Sequence, residues 1–115
     1  MTIEQCYAQM GGSFAEVSAR LPSTRLIEKF VRKFPEDPSY AQLKQALAEN
    51  SLTDAFRAAH TLKGVAANLG LERLRAAAAD MTERLRSGDL PGAQALLAET
   101  EAAYRQVLDA IEGLN

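Results

Sequence analysis

Cysteine is nearly missing from this sequence. Cys6 stands alone, so the chain has no internal disulfide and no cysteine-based metal site. A lone thiol fits a reducing compartment, and a cytoplasmic location is expected. Histidine is equally scarce, with His60 the single copy, too few ligands for a metal or haem bundle; no cofactor is expected. There is no run of 18 apolar residues and no charged-then-apolar leader, so neither a membrane span nor a signal peptide is expected. Positive charge is not in excess: 13 Lys and Arg against 15 Asp and Glu leave a net charge of −2, giving no reason to expect nucleic acid as a partner. β-Branched residues are few and no alternating pattern appears, which excludes a sheet. Internal repeats and low-complexity tracts are absent apart from short alanine runs.

What is present points to helices. The chain has 115 residues, 47% hydrophobic and 24% charged, which suits one globular domain over 1–115 with a core of its own. Alanine is abundant and favours helix. Thr2 with Gln5 three residues on reads as a helix start, and Gly11-Gly12 stops that helix. Ser13 with Glu16 opens a short helix to about Arg20, broken at Leu21-Pro22. Ser23 then caps a helix carrying Leu26, Ile27, Phe30, Val31 and Phe34 on one side, ended by Pro35. Phe30 is expected in the core by this spacing, as are Met81 and Tyr104. Asp37-Pro38 reads as an N-cap followed by proline, for a helix with Tyr40, Leu43 and Leu47 that fades at Asn50.

Ser51 caps the central helix, expected over Leu52–Leu69, and Gly70 stops it. Leu71, Leu74, Ala78, Met81 and Leu85 follow at spacings of three and four, the seam of an antiparallel neighbour. Ser87-Gly88 turns the chain, Asp89 caps the last helix, and Leu97, Thr100, Tyr104, Val107, Ile111 and Leu114 repeat the seam. Short connections make sequential helices antiparallel. The expected fold is all-α: an antiparallel up-down four-helix bundle over 38–114. N-terminal helices occupy 1–35, and the one from Ser23 to Phe34 covers an end of the bundle.

The central helix carries the chemistry. At about 100° per residue, Leu62, Leu69, Ala58, Ala55, Ala66 and Val65 cluster within roughly 50° of one direction and call for a core. His60 points the other way, beside Lys63, Gly64, Ala67, Phe56 and Arg57. A glycine inside a helix costs about 1 kcal/mol relative to alanine, and close packing does not explain one on the face away from the core. Taken singly, each of these residues has an ordinary surface explanation. An exposed imidazole with a cation three residues on and open space four residues on suits a ring that another protein must reach and that must carry an anion. Phe56 reads in two ways, as an exposed docking aromatic or as a ring tucked against the preceding helix. Arg57 adds to the local field or is a solvated arginine.

His60-Thr61-Leu62-Lys63-Gly64, followed by Ala66-Ala67-Asn68-Leu69-Gly70, resembles the core motif of histidine-containing phosphotransfer (HPt) domains: His-x-Leu-Lys-Gly, small residues, then a glycine six positions after the first. The resemblance extends from about Leu21 to the end and is distinctive from Ala59 to Leu71. It implies a phosphoryl carrier without kinase activity of its own. His60 would accept the group on Nε2 from the aspartyl phosphate of a receiver domain, belonging to a response regulator or a hybrid sensor histidine kinase, and pass it to another receiver. Magnesium and most catalytic groups would be the receiver's. An imidazole, with a reference pKa of about 6.5, is a good nucleophile near neutral pH. Phosphoryl transfer asks for position and charge more than covalent machinery. Lys63 would supply charge to the phosphoryl oxygens and Gly64 the clearance, while Phe56, Arg57 and Ala67 would meet the partner. The chain is expected to be a monomer, since four helices close a core without a second subunit.

Two other classes compete. In a non-catalytic helical-bundle interaction module, His60 is incidental; the coincidence of Lys63 and Gly64 with the histidine face weighs against it. The dimerisation helices of a histidine kinase usually carry an acidic residue directly after the histidine, whereas Thr61 stands here. Thr82 or a water is a candidate for orienting the second ring nitrogen of His60.

Overall fold

Most helix starts are fixed by a short polar side chain. In the computed structural model, which describes residues 1–114, Thr2 and Gln5 form a reciprocal capping box at the head of α1 (Ile3–Met10). The Ser13 hydroxyl accepts the Glu16 amide to open α2 (Phe14–Arg20), and the Ser23 hydroxyl accepts the Leu26 amide to open α3 (Thr24–Lys33). A single 3-10 turn over Phe34–Glu36 takes the chain past Pro35. The Asp37 carboxylate then accepts the amide of Ser39, the first residue of α4 (Ser39–Ala48). Ser51 precedes α5 (Leu52–Asn68) without capping it, because its hydroxyl donates to the Asp54 carboxylate instead.

After α5 comes α6 (Glu72–Arg86). The tight link needs Gly70, whose φ of 68° is left-handed. Gly12 lies against that link so closely that a Cβ there would come 2.7 Å from the Gly70 carbonyl oxygen. The last helix is interrupted, contrary to the sequence expectation. Asp89 caps only a short α7 (Leu90–Ala95), and α8 (Leu97–Glu112) begins after a break at Leu96. No strand forms among the described residues.

α5 packs mainly against α4 and α6, and α8 packs on α6. Side chains close the ring between α8 and α4: Tyr40 stacks on Tyr104 with centroids 4.2 Å apart, and Lys44 pairs with Glu101 at 3.2 Å. The protein is therefore all-α, with an antiparallel bundle of α4, α5, α6 and α8. Leu43, Leu47, Leu62, Leu74, Met81, Leu85 and Val107 fill its core, at about 1.5–3 kcal/mol for each large side chain fully removed from water.

The N-terminal helices close the end of the bundle where α5 finishes. α1 lies along α8 with Cys6, Tyr7 and Met10 buried, and α3 buries Ile27 and Val31. Phe34 meets the ring of Tyr104 at 5.9 Å. Phe30 departs from expectation: it is 40% exposed. A helix lying across a bundle end buries a narrow stripe, which Ile27 and Val31 already occupy. Phe30 instead walls a groove of about 510 Å³ with Leu21, Lys33 and Val65. Val65, expected within the apolar stripe of α5, is half-buried at this groove.

Candidate functional site

The rotation of α5 decides what the site presents. Ala55, Ala58, Ala59, Leu62 and Ala66 are buried, which turns His60 and Gly64 outward as exposed residues. Lys63 and Ala67 are half-buried on the flank beside them, and Arg57 is exposed one turn before the histidine. A Cβ built on Gly64 meets nothing within 4 Å. The glycine is thus not filling a packing contact, and the surface one turn beyond His60 is open. Among the described residues, Lys63 and Arg57 make no ion pair. Clefts flank this surface. Arg57 lines a polar one of about 350 Å³ toward α4, with Asp54, Thr61 and Gln42. His60 lines neither it nor the Phe30 groove and is exposed.

Phe56 follows neither of its two sequence readings in full. It is half-buried, and it packs toward α6 rather than the preceding helix. Its ring lies near-parallel to the His60 imidazole, 6.0 Å between centroids and 12° between planes. The Arg86 guanidinium sits over the same ring, 5.1 Å from its centroid. Thr82 is buried and its hydroxyl donates to the Ala78 carbonyl oxygen at 2.7 Å, so its proton is committed to its own helix.

The exit of α5 is anchored by residues far away in sequence. The Arg20 guanidinium donates to the Ala67 and Asn68 carbonyl oxygens at 2.7 and 3.0 Å, and the Tyr7 hydroxyl donates to the Leu69 carbonyl oxygen at 2.6 Å. Carbonyls at a helix exit lack the amide four residues on that pairs those of the interior; Ala67 also accepts the Gly70 amide at 3.2 Å, and a cation there complements the helix dipole. Burial pushes the Tyr7 phenol well above the ordinary tyrosine value. Arg86, Arg20 and Tyr7 carry no motif. Arg86 is reachable from sequence only through the α5–α6 register set by the turn at Gly70.

The site is an exposed imidazole with Arg57 and Lys63 one turn to either side and an open surface at Gly64. Among the described residues, no group of three or more His, Cys, Asp or Glu side chains is placed to hold a metal ion. None of the helices described is long and apolar enough to cross a membrane. No curated protein and no solved structure matches the chain. The family model described as the Hpt domain matches residues 25–113, from the start of α3 to just past the end of α8. That match spans well over half of the 115 residues and takes in the whole bundle, His60 included. The chain belongs to the Hpt domain family.

Proposed function

We propose that His60 is the phosphoryl-accepting residue of a phosphorelay carrier. Histidine phosphotransfer in phosphorelays is what the Hpt family implies, and receiver domains are what Hpt domains interact with. The particular observation supporting His60 is its exposure on α5 above a Gly64 whose missing side chain leaves open surface. The Nε2 lone pair of the neutral ring attacks the phosphorus of a receiver's aspartyl phosphate. The P–O bond to the aspartate breaks, the carboxylate leaves, and an N–P bond forms. Nδ1 keeps its proton, so the phosphorylated ring is cationic. Transfer onward is the reverse reaction with a second receiver. A P–N bond of this kind retains the reactivity needed for that return step.

Lys63 lies one turn from His60 and supplies charge to the phosphoryl oxygens. Gly64 keeps the approach open. Arg57, Ala67 and the accessible part of Phe56 form the rim that the receiver meets. The chain has no kinase activity of its own in this scheme; magnesium and the remaining catalytic groups come with the receiver. It acts as a monomer in the cytoplasm.

Transfer between receivers tests the scheme. A phosphorylated receiver from the source organism is mixed with the chain, and a second receiver is then added. A carrier takes the label from the first and delivers it to the second. A non-catalytic interaction module binds without taking label from any receiver tried.

A further inference from the structure

Phe56 has contacts that a rim residue does not need. Three flat groups meet in one place: the Arg86 guanidinium from the end of α6, the Phe56 ring, and the His60 imidazole one turn further along α5. The ring separation and near-parallel planes fall within the range of aromatic pairs that attract. The Arg86 contact is a cation–π one. Arg86 is steadied in turn from its own helix, where its Nε lies 3.4 Å from a Glu83 carboxylate oxygen. The Phe56 ring is hemmed by Leu52 and Leu85, which line the same small cleft.

We propose that Phe56 is a positioning residue for phosphoryl transfer, held by Arg86, and that its stacked ring keeps the His60 imidazole in the orientation that attacks. The inference rests on the phosphotransfer function proposed above. An exposed histidine on a helix has two open χ1 wells, because the third clashes with the preceding turn, and a broad twofold χ2. In-line attack on phosphorus uses one of these arrangements, since nucleophile and leaving oxygen must align. Selecting one arrangement in about four gives an advantage of up to about fourfold in the transfer step. It gives none in binding the receiver. The phosphorylated ring is cationic, and an aromatic face at its side favours that state as well.

The test is single-turnover transfer from a phosphorylated receiver domain, measured across receiver concentrations for the wild type, Phe56→Leu, Phe56→Tyr and Arg86→Gln. Phe56→Leu should lower the saturating rate by about fourfold, whatever it does to the half-saturating concentration, and Phe56→Tyr should restore the rate. Arg86→Gln should fall between them. By NMR, wild-type His60 should show one χ1 conformer and ring-to-ring contacts with Phe56, both lost in Phe56→Leu. A wild-type saturating rate in Phe56→Leu overturns the proposal. So does a change confined to the half-saturating concentration, which makes Phe56 a docking contact only. Averaged χ1 at His60 in the wild type overturns it too, and needs no variant to fold. If the wild type takes no phosphoryl group from any receiver, the phosphotransfer function fails instead, and the χ1 measurement still decides whether the stack orders the ring.

Discussion

Tyr7 and Leu69 are 62 residues apart in the chain, yet the phenol of one donates to the carbonyl oxygen of the other at 2.6 Å. This bond ties α1 to the exit of the helix that carries His60. Tyr7→Phe removes it and leaves a buried carbonyl without its partner, which costs about 1–3 kcal/mol. Denaturant unfolding should show that loss, and phosphotransfer by the folded protein should stay at the wild-type rate. A stability unchanged within about 0.5 kcal/mol would show that the bond is exchanged for one to water.

The bundle was legible in the sequence where the local rules agree. The stripe of Ala55, Ala58, Leu62 and Ala66 fixes the rotation of α5, and the left-handed Gly70 and the Asp89 cap follow from residue type alone. The failures are tertiary. Phe30 has core spacing but sits on a helix that only closes an end, so it walls an open groove instead of meeting a facing helix. The break at Leu96 has no glycine or proline to announce it. The anchors from Tyr7 and Arg20 and the Arg86–Phe56 contact join distant segments, and no spacing rule within one helix reveals them.

Gly64 separates the accessible-histidine account from a packing account. A side chain at 64 leans back over the turn holding His60. Nothing in the structure opposes a Cβ there, and glycine is the poorer helix former by about 0.5–1 kcal/mol. Gly64→Gln should therefore melt at or above the wild-type temperature while accepting phosphate on the order of a hundredfold more slowly, the scale of a 1 Å misplacement. A variant that unfolds would make Gly64 a packing residue and the exposed face misassigned.

Lys63 should matter to transfer and hardly at all to folding. Partly exposed charges contribute about 0–1 kcal/mol, and Lys63 has no ion-pair partner among the described residues. Lys63→Ala should melt within about 4 °C of wild type and transfer up to about fivefold more slowly, the rate equivalent of about 1 kcal/mol. Unchanged transfer kinetics would make Lys63 an ordinary surface residue.

Alkaline pH should destabilise the fold. Burial raises the phenols of Tyr7, Tyr40 and Tyr104 above their ordinary value, so the folded chain keeps protons that the unfolded chain has released. The tyrosine contribution is whole below about pH 10, the unfolded value. It is lost as pH rises above that, by about 1.4 kcal/mol per pH unit for each tyrosine so held. Denaturant midpoints should begin to fall above about pH 8.5, where the Cys6 thiol, also pushed up by burial, contributes, and fall more steeply beyond about pH 10, less so in Tyr7→Phe. A midpoint flat to pH 11 would mean that these phenols ionise as freely folded as unfolded.

The claim on which the rest depends is that His60 alone takes the phosphoryl group, and phosphate mapping tests it directly. After incubation with a phosphorylated receiver, the chain should carry one phosphoryl group on an imidazole nitrogen of His60. The bond should be labile in acid and stable in alkali, with no label on His60→Gln. Phosphate retained by His60→Gln, or a label that survives acid, would contradict it.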